Sequence, residues 1–222
     1  MNMTAGAAWL NSFFAGFDAG LVNAIHGLHE CAADWLQPIM EFISLLGKGG
    51  IFLIILSMVL LIYRPTRRFG TAMCFGLAIG AVITNLILKP WVARPRPYAD
   101  QASIFYQYWL LVGQNVESDK SFPSGHTTAA FDSMMPVFLL GKRRLRIVAV
   151  CFAVLMGIAR IYLCVHFPSD VLGGMLVGIF AGCIGTLIGK KLNRKWYAWD
   201  LREKLPQKQR EPQKRGKHEI VK

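Results

Sequence analysis

Residues 50–89 read GIFLIILSMVLLIYRPTRRFGTAMCFGLAIGAVITNLILK, two apolar runs parted by Arg64-Pro65-Thr66-Arg67-Arg68. The first run, from about Gly49 to Tyr63, and the second, from about Phe69 to Lys89, approach the ~20 residues that a helix needs to cross a hydrocarbon core. Neither carries the polar face, at a 3.6-residue period, that a helix on the surface of a soluble domain shows. Three more such runs follow, at about Ser124–Leu140, Leu145–Cys164 and Ser169–Gly189, with Lys142-Arg143-Arg144-Leu145-Arg146 between the first two of them. The pattern predicts an all-α integral membrane helical bundle of about five transmembrane helices.

Composition agrees. Of 222 residues, 54% are hydrophobic and 17% charged, and the charge is segregated. The net charge of +12 comes largely from residues 190–222, where twelve Lys/Arg face Asp200, Glu203, Glu211 and Glu219. Beside a final apolar helix, such a tail reads as a cytoplasmic topology signal that can also meet anionic lipid; nucleic acid is not expected as a partner. Basic short loops face the cytoplasm, so both basic turns and the tail belong inside. Five spans then put residues 89–122 and 165–168 outside.

Residues 7–46 are apolar but carry Asp18, His26, His29, Glu30, Asp34 and Glu41. This predicts two N-terminal amphipathic interfacial helices, broken near Cys31–Asp34. A sixth span over Thr4–Ile25 is the alternative, opposed by Asn11 and Asp18. The expected organisation is residues 1–48 interfacial, 49–189 the transmembrane domain and 190–222 the basic tail. No basic region precedes the first apolar residues, so no cleavable signal peptide is expected.

Five cysteines are scattered singly, without CxxC spacing, which supports neither a disulfide framework nor a metal site. His26-Gly27-Leu28-His29-Glu30 has the wrong order for a metalloprotease helix. Asp132, inside an apolar run, is a functional suspect by its position, although pairing with a neighbouring helix would also explain it.

Three fragments carry chemistry. Lys89 closes an apolar run, and Arg96 follows between Pro95 and Pro97, which hold the backbone extended so that the guanidinium can be aimed. A fork of fixed charge suits phosphoryl oxygens, and lysine adds a point charge. Each could equally be a cation snorkelling at a membrane edge. Pro123-Ser124-Gly125-His126 opens a helix, where free N–H groups and the dipole favour an anion and Gly125 lets it approach closely. Taken alone, this is also an ordinary cap. Arg160 sits in an apolar run, where an unpaired cation costs about 2.5–3.5 kcal/mol. His166 and Asp170 follow, spaced so that the carboxylate could fix the imidazole tautomer. The segment from Tyr98 to Ser121 is rich in aromatics and reads as a lid, a lipid access rim or an interfacial anchor.

The fragments together resemble the three signature motifs of the type 2 phosphatidic-acid phosphatase (PAP2) superfamily: Lys, six residues, Arg-Pro; Pro-Ser-Gly-His; and Ser-Arg, five residues, His, three residues, Asp. Lys89, Arg96-Pro97, Pro123–His126, Arg160, His166 and Asp170 match in type, order and spacing; Ala159 stands where the family has serine. The resemblance covers about Gly49–Gly189. It implies a membrane lipid phosphatase without a metal or other cofactor. In that scheme His166 attacks phosphorus, Asp170 supports it, and His126 protonates the leaving group. Lys89, Arg96, Ser124, Gly125 and Arg160 hold the phosphate. Undecaprenyl diphosphate, phosphatidylglycerophosphate and phosphatidate are the substrates this admits, with the site outside a bacterial plasma membrane. A lipid phosphotransferase using the same intermediate is the alternative, and a non-catalytic anion- or lipid-binding membrane protein is a further one. Oligomeric state is not legible.

Overall fold

The computed structural model describes residues 3–204, and every regular element among them is a helix. Two N-terminal helices, α1 (Ala5–Phe13) and α2 (Ala15–Gly47), lead into α3 (Ile51–Ile62). The expected break near Cys31–Asp34 is present as a kink at Ala32, whose backbone leaves the helical region (φ −145, ψ 15). Ala32–Ile62 is one apolar segment long enough to cross a membrane. The glycines of its short 3₁₀ turn, Gly49 and Gly50, adopt left-handed φ values of 59° and 68° that join α2 to α3 without a loop.

After the basic turn come α4 (Arg67–Ala81), a π-helical stretch over Val82–Leu88 and the one-turn α5 (Lys89–Val92). A short connection leads to α6 (Ile104–Leu111), then α7 (Gly125–Leu140), α8 (Arg143–Tyr162) and α9 (Pro168–Lys204). Besides Ala32–Ile62, the segments Arg67–Ala99, Arg143–Tyr162 and Pro168–Arg194 are long and apolar enough to span, by length and composition. The third expected run, Ser124–Leu140, is the 16-residue α7, shorter than these and lying in the middle of the bundle against α4, α8 and α9.

In hydrocarbon no hydrophobic force drives helices together, so close backbone packing must do it. A β-carbon on Gly178 would come within 2.7 Å of the Thr128 carbonyl, and one on Gly185 within 2.5 Å of the Ala72 carbonyl. These two positions let α9 seat against α7 and α4. The outer face of α3 turns Ile51, Ile55, Val59 and Ile62 outward, as lipid contact requires.

The topology sends α4, α7 and α8 back and forth between two ends. The basic turns at 64–68 and 142–146 lie at one end, and Lys89, Gly125, Arg160 and His166 lie at the other. The basic-tail expectation falls mainly on residues 205–222, outside the described residues.

Candidate active site

All eight residues singled out in the sequence meet at one end of the bundle, because three helices end or begin there. Ser124 caps α7, its Oγ accepting the Thr127 amide at 3.4 Å and the Thr127 hydroxyl at 2.9 Å. Gly125 follows so close to Lys89 that a β-carbon there would be 3.4 Å from its Nζ. His126 sits in the first turn. Arg160 ends α8, and the Leu163–Phe167 turn delivers His166. Asp170 lies in the first turn of α9, where a carboxylate complements the helix dipole.

The cavity between α3, α4 and α7 has a volume of about 530 Å³. Its polar end is lined by Lys89, Arg96, Gly125, His126 and His166, and it runs inward to Asp132. Ser124 is fully buried and is not among the lining residues, so the structure gives it the work of shaping the helix start. Asp132 is 1% exposed, and its Oδ1 has no hydrogen-bond partner.

Arg96 is extended (φ −72, ψ 155), as its flanking prolines require. Its Nη1 donates to the Val165 carbonyl at 2.7 Å and lies 2.9 Å from His166 Nε2. The other imidazole nitrogen, Nδ1, is 3.6 Å from Asp170 Oδ2 and 3.5 Å from Ser121 Oγ. Nδ1 is also 3.4 Å from Arg96 Nη1, so this guanidinium lies beside both ring nitrogens and nearer Nε2, with the carboxylate on the Nδ1 side. Burial pushes the His166 pKa well below its usual value, and Arg96, Arg160 and Lys89 add to the effect against the opposing charge of Asp119.

Two carboxylates that the sequence reading passed over complete the picture. Asp119 pairs with both Lys89 and Arg96, and Glu117 pairs with Arg160, which also donates to Ser44. Burial raises the Asp119 carboxyl, but the hydrogen bond and charge of Lys89, then those of Arg96, hold it below the usual carboxylate range. Both come from the Tyr98–Ser121 segment. It is not an open flap: Tyr98 stacks on Trp109 at 4.8 Å, and Phe105 meets Phe167 edge-on at 4.9 Å. The only signal in the sequence was the acid spacing Glu117-Ser118-Asp119 just before the Pro-Ser-Gly-His motif.

His26 and His29 are used in packing. His26 stacks on Tyr108 at 3.9 Å, and His29 Nδ1 is 2.7 Å from the Tyr162 hydroxyl.

Residues 69–194 match the PAP2 superfamily. The chain belongs to that superfamily. Phosphatidylglycerophosphatase B of Bacillus subtilis is 33% identical over 173 residues, covering 72% of this chain and 78% of that protein. The undecaprenyl-diphosphatase of Sulfolobus acidocaldarius is 28% identical over 153 residues, covering 69% and 70%. The crystal structure of a transmembrane PAP2-type phosphatidylglycerolphosphate phosphatase from Bacillus subtilis superposes with a TM-score of 0.56 at 28% identity, covering 85% of this chain and 98% of that one.

Proposed function

We propose that this membrane lipid phosphatase of the PAP2 superfamily works through a covalent phosphohistidine on His166. The observation that supports it is the orientation of one ring. Nε2 is the ring nitrogen nearer Arg96, at 2.9 Å, His166 lines the cavity together with Lys89, and Nδ1 is 3.6 Å from Asp170. A neutral imidazole with Nδ1–H towards the carboxylate offers its Nε2 lone pair to phosphorus. As the Nε2–P bond forms, the ring becomes cationic and Asp170 supports it. The P–O bond to the lipid breaks, and His126, in the first turn of α7, supplies the proton to the departing oxygen. The same residue then takes a proton from the water that cleaves the Nε2–P bond, so phosphate leaves and His166 is restored.

Charge on the transferring group is met by Lys89, Arg96, Arg160 and the Gly125 N–H, with Ser124 capping the helix that begins at Gly125. These groups supply the stabilisation a divalent ion provides elsewhere, so no metal is asked for. Glu117 and Asp119 occupy the same cations in the absence of phosphate and are displaced when a headgroup arrives. The cavity towards Asp132 receives the part of the lipid nearest the headgroup.

Phosphatidylglycerophosphate and undecaprenyl diphosphate, named in the two relatives above, are the lead substrates. The positive-inside rule places residues 64–68 and 142–146 in the cytoplasm, hence the site on the outer side. The test is phosphate release from these two lipids and from phosphatidate by detergent-purified protein in EDTA, beside His166→Ala. Release that persists in EDTA and vanishes in the variant supports the reading. Strict dependence on an added divalent ion, or full activity in His166→Ala, overturns it. Transfer to an acceptor lipid in place of release would make the protein a phosphotransferase.

A further inference from the structure

Arg94 is the largest of the nearly fully enclosed side chains, 1% exposed, and is one of the six residues that the first motif leaves unspecified between Lys89 and Arg96. Its Nη1 donates to Asp170 Oδ1 at 2.6 Å and to Ser169 Oγ at 2.7 Å. Its Nη2 donates to Asp18 Oδ2 at 3.0 Å, and its Nε to Asn11 Oδ1 at 2.8 Å. The guanidinium lies 3.9 Å above the Phe167 ring. Asp18, 2% exposed, also accepts the Ser169 amide and hydroxyl, each at 2.7 Å. A carboxylate, a guanidinium and a second carboxylate thus run in line from α2 to the residue beside His166. Asn11 and Asp18, the polar residues that argued against a sixth span over Thr4–Ile25, are partners in this line. Both lie outside the segment that matches the PAP2 superfamily.

The charge count gives the line a purpose. Arg94 alone against Asp170 would cancel the negative charge that a phosphohistidine needs beside it. With Asp18 on the far side of Arg94, the three groups carry one net negative charge at Asp170's end of the site. Position matters too. Asp170 Oδ2 takes Ser121 Oγ and the Phe167 amide at 2.9 Å, so Arg94 on Oδ1 completes its immobilisation.

We propose that Asp18, through Arg94, is a positioning residue for the reaction: it holds Asp170 beside His166 and offsets the Arg94 charge, so that the N-terminal helices form part of the catalytic apparatus. This rests on His166 being the nucleophile.

The full chain carrying Asp18→Asn or Arg94→Gln, in detergent, tests it through kcat, KM and the acid limb of kcat/KM. The groups facing His166 are the cations Lys89, Arg96 and Arg160, the carboxylates Asp119 and Asp170, Ser121 and His126. Neither variant substitutes any of these groups. Removing the Asp18 charge makes the field at His166 more positive, so its proton leaves more readily and the limb moves to lower pH. Removing the Arg94 charge moves the limb to higher pH. Asp18→Asn is expected to lower kcat about 30-fold with KM within about twofold, because substrate contacts are untouched. The double variant, which removes both charges, is expected to recover part of that loss.

Opposite movements of the limb cannot come from a general loosening of the fold. Unchanged kcat in Asp18→Asn, or two limbs that stay in place, overturns the proposal. If Asp18→Asn does not fold, Arg94→Gln decides alone, and a limb that does not rise overturns it. Activity in His166→Ala would instead sink the nucleophile assignment, a result separate from these.

Discussion

Arg96 grips Asp119 at two points, its Nη2 on Oδ1 and its Nε on the backbone carbonyl at 3.0 Å. The same guanidinium contacts the imidazole of His166. A carboxylate therefore stands where the proposed reaction needs a phosphate oxygen. In the proposed reaction Asp119 competes with the headgroup for these cations; its side chain is 46% exposed.

Removing that competitor should strengthen anion binding. Asp119→Asn is expected to lower the inhibition constant for inorganic phosphate about threefold to tenfold, since a partly exposed ion pair is worth about 0.2–1 kcal/mol and two cations are released here. Phosphate inhibition of lipid turnover measures it. A weakened inhibition would mean that Asp119 instead orients the cations for substrate.

The nucleophile and its support should separate in size of effect. His166→Ala is expected to abolish turnover and acid-labile phosphoenzyme together. Asp170→Asn keeps the shape of the carboxylate but not its charge, and should retain activity reduced on the order of 10²–10⁴-fold. Rapid-quench trapping with labelled lipid distinguishes the two.

The pH dependence follows from the field at His166. Burial and three cations hold its pKa below the ordinary value of 6.5, so the ring binds its proton only at lower pH and stays neutral above that point. The acid limb of kcat/KM assigned to this group should accordingly lie below pH 6.5. Arg96→Gln removes one cation, so the protonated ring becomes less unfavourable and the limb moves up. A wild-type limb above 6.5 would contradict the assignment.

Gly47 tests the fit around His126. A β-carbon there would come within 2.7 Å of His126 Cδ2 and 2.8 Å of Met156 Sδ. The backbone is ordinary (φ −91, ψ −9), so any penalty of Gly47→Ala is steric and is shared by the His126 ring and the Met156 side chain. An expected loss of ~10–100-fold in kcat, with the cold-stable fold retained, would be read from steady-state kinetics and thermal unfolding; a 1 Å misplacement of a catalytic group has costs of this size.

How far the sequence reaches differs from residue to residue. Long uncharged runs identify buried or lipid-facing helices because a bilayer cannot satisfy polar side chains, so α4, α8 and α9 were legible from composition alone. Lys89, Arg96, His126, Arg160, His166 and Asp170 were legible because their spacing within three short fragments is fixed by local geometry: a helix end, a cap and a turn. The extent of the first spanning stretch was less so. Gly49 and Gly50 look like a break, but their left-handed backbone makes a tight join.

Contacts between distant segments were decided by tertiary structure. Asp18 and Asp170 are joined through Arg94 although 152 positions separate them, and nothing in a local pattern encodes such a meeting. Glu117 and Asp119 read as polar loop residues until the fold brings their segment over Lys89, Arg96 and Arg160. By itself the sequence determined a membrane-spanning helical protein and the chemical groups it brings to a phosphate, because hydropathy and spacing act locally along the chain. Only the tertiary structure decided which charges face one another. Coulombic pairing depends on distance in space, and burial makes it strong where the helices converge.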